Sequence, residues 1–294
     1  MSTSTEQRDQ AVANAIREIS HIATLPEITL KIIDLVEDPA STAKDLHAVI
    51  ANDPALCTRI LKVVNSSFYG LPGQIGSIDR AIVMLGLNAV KNIAIAASLA
   101  KLFRGGELTP NFSARDLWIH SNATAVLSKV LCDKLKLSLG DEAFLAGLMH
   151  DLGIMVEIQY DRSKLIEVVE RVAPNPDGLP VEDMLEVEAQ MYGADHQDFG
   201  SALCQKWKFP ATFEKVTAFH HNPTKCPSEH RKLVGVVAVA DILAAEAGQG
   251  FRLDRLSTEI PGELRDLIQL SETTLQDIRE NLTELIESAN SLLT

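Results

Sequence analysis

The sequence predicts an all-α protein of two packed helical bundles. Apolar residues recur at spacings of three and four, alternating β-type runs are absent, and aromatic residues make up only 5% of the 294 residues. With 46% hydrophobic against 23% charged residues, the chain has the material for a sizeable core. The first bundle is expected over residues 1–105. Thr42 and Asp45 form a capping box ahead of Leu46, Val49 and Ile50, and Asp53-Pro54 supplies an N-cap with proline in the first turn. Leu56, Ile60, Leu61 and Val64 then make one apolar face. Ser77 caps a helix carrying Ile78, Ala81, Ile82 and Leu85, closed by Gly86, and a longer helix follows through Val90, Ile93, Ala97 and Leu102.

Arg104-Gly105-Gly106 with Pro110 breaks the pattern, and a second bundle is expected over 113–250, beginning near Ser113. The stretch Ala173 to Pro180, with three prolines and a glycine, reads as a connector between two groups of helices. A third segment, 251–294, is an acidic helical extension with four arginines, no lysine and nine acidic residues. Within it Leu275, Ile278, Leu282, Leu285, Ala289 and Leu292 alternate as a coiled-coil seam. So short a seam favours packing on its own domain, and it also admits a homodimer through the C-terminal helix.

The net charge of −13 argues against nucleic acid and anionic lipid as partners, since both reward clustered Lys and Arg. The compact helices from Ala43 to Asn65 mimic a helix-turn-helix, but after Lys44 only Arg59 and Lys62 are cationic, too few to track phosphates. Cys57, Cys132, Cys204 and Cys226 lie far apart with no C-x-x-C pair, so reduced thiols in the cytoplasm are expected. The polar start, MSTSTEQRDQ, has no apolar signal core, and no run of about 18 apolar residues predicts a membrane span.

The chemistry sits in the second bundle. His150-Asp151 follows the apolar run Phe144 to Met149, a helix expected to be buried and to end near Gly153. A carboxylate there needs a cation, a metal or strong donors beside it. Asp241 poses the same problem as the one charge between Val234 and Ala245. His120 stands on or beside an apolar face with Ala123, Thr124 and Leu127. Two imidazoles and two carboxylates from three helices suit an octahedral divalent ion, Fe, Mn or Mg, better than zinc. His196 opens another helix, and His220-His221 end one because Asn222-Pro223 disfavours continuation; these would serve a second ion. His21, His47 and His230 stand in more exposed contexts.

With those residues in view the chain resembles the HDOD family of bacterial signalling proteins, a branch of the HD metal-dependent phosphohydrolase superfamily. The resemblance rests on Leu25-Pro26, Asp53-Pro54-Ala55-Leu56, Leu61 to Ser66 (LKVVNS), Ile78 to Gly86, Trp118 with His120-Ser121, Gly147 to Gly153 (GLMHDLG), Trp207 to Pro210, and His220-His221. It implies an HD-like second bundle, with His120, His150, Asp151 and Asp241 similar to the superfamily's mononuclear metal set. His196, His220 and His221 are similar to the extra ligands of the HD-GYP cyclic-di-nucleotide phosphodiesterases. Those relatives carry a lysine just after the HD-x-G-like segment and a Gly-Tyr-Pro element after the histidine doublet. Here Ile154 follows Gly153, and Asn222-Pro223-Thr224-Lys225-Cys226 follows His221.

The resemblance implies a regulatory role, and the length of 294 residues, with no room for a fused receiver or sensor domain, leads us to expect a stand-alone module with a centre of one or two divalent ions, Fe or Mn ahead of Mg or Zn, acting through a signalling protein partner or a small nucleotide-like ligand. No residue is assigned a catalytic role. The alternatives are a metal-dependent phosphohydrolase, in which a metal on Asp151 activates water against a phosphate ester, and a metal-free cluster satisfied by internal His–Asp hydrogen bonds.

Overall fold

The computed structural model describes residues 5–19, 25–103, 106–248 and 250–292. The expected break at Arg104-Gly105 and the residue His21 lie outside them, as do the side chains of Ala289 and Leu292. Helix α1 (Thr5–Glu18) is followed by α2 (Glu27–Glu37), α3 (Ala43–Ile50), α4 (Pro54–Val64), α5 (Ile78–Leu85) and α6 (Leu87–Leu99). The start signals work as expected. Thr42 and Asp45 cap α3 reciprocally, Asp53 accepts from the Leu56 amide, and Ser77 accepts from the Arg80 amide. Helix α6 is buried from Ala89 to Leu99 and packs against α2, α4, α5 and the later helix α8, so it ties the first group to the second. It stops at Leu99, short of the expected Leu102, whose amide instead closes a turn on the Leu99 carbonyl.

A two-stranded antiparallel hairpin, β1 (Glu107–Thr109) and β2 (Phe112–Ser113), precedes the second group. Strands this short carry no readable alternation, which is why the periodicity showed none. Then come α7 (Ala114–Lys134), capped by Ser113, α8 (Gly140–Met149), α9 (Leu152–Tyr160), α10 (Arg162–Val172), α11 (Met184–Tyr192), α12 (His196–Lys206), α13 (Ala211–Phe219), a 3₁₀ turn at Pro223–Lys225, and α14 (Ser228–Glu246). Helix α7 lies between α8 and α14, while α9 pairs with α12. The connector between α10 and α11 is closed by a Pro174–Pro180 bridge, with Asn175 Oδ1 accepting from the Asp177 and Leu179 amides. Helix α1 docks on α9 and α12.

After a strap, Phe251 to Pro261, the chain forms α15 (Gly262–Ile268), α16 (Glu272–Glu280) and α17 (Leu282–Leu292). The expected seam is divided at Asn281, and its residues Leu275, Ile278 and Leu282 are buried within the chain, with α17 against α7. Among the described residues no helix is long and apolar enough to cross a membrane.

Gly153 does not end the buried helix. Helix α8 stops at Met149 and α9 restarts at Leu152, which puts Gly153 inside α9. Its role is close approach: a Cβ there would lie 1.7 Å from the His196 carbonyl oxygen at the start of α12. Only glycine lets these two helices touch, and their contact brings Asp151 up to His196.

Candidate metal centre

All seven predicted site residues converge. His120 comes from the middle of α7, His150 is the C-cap of α8, and Asp151 is the N-cap of α9. Asp195 and Asp198 form a capping box that makes His196 the first residue of α12. His220 caps the end of α13, His221 follows it, and Asp241 comes from the apolar interior of α14. Helix ends therefore deliver most of the set, while α7 and α14 contribute from their buried faces. His120, His150, Asp151, His196, His220 and Asp241 are wholly buried, and only 7% of the His221 side chain meets solvent.

Asp151 stands between two groups of donors. Its Oδ2 is 3.2 Å from His150 Nε2 and 3.7 Å from His120 Nε2, and the latter is 3.1 Å from Asp241 Oδ1. Its Oδ1 is 3.3 Å from His220 Nε2 and 3.8 Å from His196 Nε2, and the latter is 3.0 Å from His221 Nε2. Ligand atoms lie within 4.8 Å of one another in four overlapping sets: Asp151, His196, His220 and His221; His120, His150 and Asp151; His150, His220 and Asp241; and His120, Asp241 and Asp254.

The backbone fixes which ring nitrogen faces the centre. A carbonyl can only accept, so His150 Nδ1, 2.7 Å from the Gly147 oxygen, and His220 Nδ1, 3.1 Å from the Thr217 oxygen, are the protonated nitrogens. In the neutral imidazoles both Nε2 lone pairs then point inward. Glu188 does the same for His196, its Oε2 lying 2.8 Å from Nδ1 and 3.0 Å from the His196 amide nitrogen.

The donor set fits a cation. Asp151 Oδ1 and Oδ2, Asp241 Oδ1 and His220 Nε2 are buried with no hydrogen-bond partner, and all four converge on the space between the helices. Buried lone pairs without donors are costly unless a positive charge lies among them. The titration behaviour reports the same demand. Burial alone would lower His150, yet the Asp151 and Asp241 carboxylates draw it up to about 9. His196 is likewise carried well above its usual value against its burial, chiefly by Glu188. Burial pushes His220 down to about 4, despite its contact with Asp151. It also carries His221 well down, reinforced by the Arg255 charge. Burial would raise Asp151, but His150 and His220 hold it well below the carboxylate range.

Four further residues complete the site, and the sequence reading named none of them. Glu188 orients His196, and Glu157, wholly buried with neither oxygen hydrogen-bonded, is raised well above its usual value by burial and by Glu188. Glu157 is a lone carboxylate in an apolar helix, the signal that singled out Asp241, and could have been found that way. Arg255 and Asp254 come from the strap. The Arg255 guanidinium donates to Asp241 Oδ2 through Nε at 2.7 Å and through Nη2, so one oxygen of Asp241 has a protein cation as its partner. Asp254 Oδ2 lies 3.6 Å from His221 Nε2, and burial, with the charge of Asp241, pushes its carboxyl up to about 7. Nothing local in the strap marks either residue.

The profile of the HDOD domain matches residues 22–223. An uncharacterized protein of Treponema pallidum (strain Nichols) is 27% identical over 241 residues, 80% of this chain and 44% of that protein. The chain thus spans less than half the length of that relative. An HDOD domain protein of unknown function from Geobacter sulfurreducens superposes with a TM-score of 0.81 over 98% of this chain and 99% of its own, at 20% identity. A Shewanella amazonensis protein provisionally described as a phosphohydrolase superposes with a TM-score of 0.72 over 95% and 98%, at 24% identity. These two structures share the fold. The profile match covers more than half the sequence and includes His120, His150, Asp151, His196, His220 and His221, and on that ground the chain belongs to the HDOD domain family.

Proposed function

We propose that the chain is a regulatory HDOD module built round a divalent metal centre held by His120, His150, Asp151, His196, His220, His221 and Asp241, and that it acts by binding a signalling partner or a small nucleotide-like ligand. The observation that carries the metal is the convergence of partnerless buried lone pairs on Asp151, Asp241 and His220. A divalent ion bound there supplies the charge that neutralises the carboxylates and a Lewis acid able to polarise a phosphate ester. Closure of the site supports regulation over turnover: six of the seven ligands are wholly buried, and the strap covers the centre with Arg255, itself only 11% exposed.

Elemental analysis of protein purified without chelator, alongside a His150→Ala, Asp151→Ala double variant, tests the centre. The expected result is metal in the wild type and its loss in the variant; a metal-free wild type sinks the reading. The donor set and the provisional description of the Shewanella relative favour a second reading, a metal-dependent phosphohydrolase. A screen of phosphomonoesters and cyclic di-nucleotides with added Mn decides between them. Turnover above that of the double variant would replace regulation by hydrolysis.

A further inference from the structure

Arg255 is held as a built part of the centre. Its strap is pinned where the Phe251 amide donates to the Asp116 carbonyl at 3.0 Å, and the Phe251 ring stands edge-on to Phe112 at 5.3 Å and to His120 at 6.3 Å. Gly250, at φ +78°, runs so close to α7 that a Cβ would lie 2.6 Å from the Asp116 oxygen. From this fixed backbone the guanidinium reaches Asp241 Oδ2, the His220 carbonyl at 3.4 Å and Asp254 Oδ2 at 3.7 Å. The other group of ligands is differently supported. Among the described residues no lysine or arginine makes a hydrogen bond or ion pair with the side chains of Asp151, His196, His220 or His221; the Arg255 charge bears on His221 only through space, and the fixed charge behind His196 is the Glu188 carboxylate.

We propose that Arg255 is a built-in competitor for metal at the His120–His150–Asp241 half. The native chain then carries a single divalent ion, on Asp151, His196, His220 and His221. This rests on the metal-centre reading above. An ion on Asp241 Oδ1 would share one carboxylate with a guanidinium, and like charges repel strongly where both are out of water. A guanidinium cannot shed its proton to relieve the repulsion. A second ion therefore enters only when the Arg255 guanidinium leaves Asp241.

The test counts Mn²⁺ bound to the chelator-treated full chain by calorimetry and by elemental analysis after desalting. Wild type is expected to bind one ion, lost in His196→Ala and kept in His120→Ala with an affinity changed by less than about threefold. Arg255→Met is expected to bind two, the second at least about tenfold tighter than any second ion in wild type, while Arg255→Lys stays at one. Two ions of similar affinity in wild type, or loss of the single ion in His120→Ala but not in His196→Ala, overturns the competitor and leaves the metal centre standing. A single ion in Arg255→Met also overturns it. No Mn²⁺ in any folded variant, wild type included, overturns the metal centre itself. If Arg255→Met does not fold, the two histidine variants still decide, because both keep Arg255.

Discussion

The two sides of Asp151 present nearly the same ligands and opposite surroundings. Towards α7 and α14 the outer partner is a cation, Arg255 on Asp241. Towards α12 it is an anion, Glu188 on the Nδ1 nitrogen of His196. A guanidinium draws negative charge away from a ligand carboxylate, whereas a carboxylate behind an imidazole makes the inward nitrogen a better donor. Similar ligands are thus tuned apart by what stands behind them, so a ligand list alone does not predict how a site fills.

The largest effect should come from removing the contact that joins the two sides. Gly153→Val drives a side chain into the His196 carbonyl, costs more than about 3 kcal/mol, and should lower the unfolding midpoint by about 10 °C with loss of bound metal. Thermal melts and metal content check it, and unchanged content would show that α9 and α12 need not touch to hold Asp151. Next in size is the cation. Arg255→Met leaves Asp241 buried with one oxygen stripped of its partner, a destabilisation of about 3–5 kcal/mol, and added Mn²⁺ should restore most of it by taking the vacated charge. Denaturant unfolding with and without Mn²⁺ measures both arms; no recovery would mean that the two cations do not compete.

The anion is a smaller lever. Glu188→Gln keeps the shape and removes the charge behind His196, and should weaken metal binding by about 10- to 100-fold with little change in fold. Equal affinity in the two proteins would erase the contrast between the two sides. The smallest effects separate stability from the site. Ser77→Ala, at the cap of α5, and Asp195→Ala, at the cap of α12, should each cost about 1 kcal/mol. Only Asp195→Ala, next to His196, should also weaken metal binding, and calorimetry on both variants shows whether local capping reaches the ligand.

By itself the sequence determined the helices and their starts. Caps at Thr42, Asp53 and Ser77, and apolar faces spaced for helices, are local features whose physics needs no distant partner. It also singled out Asp151 and Asp241, because an ionisable group in an apolar run announces that it will need a partner. Tertiary structure decided what those partners are. Asp241 acquires Arg255, fourteen residues away on a strap with no motif, and His196 acquires Glu188 from the preceding helix. It decided also that Gly153 serves a helix crossing rather than a helix end, and that Leu275, Ile278 and Leu282 of the C-terminal seam are buried within the chain. Each of these depends on where a distant segment comes to rest, and electrostatic and steric complementarity between segments leaves no periodic mark in either one. The residues that need a partner are written in the chain; the partner is chosen only when the chain has folded.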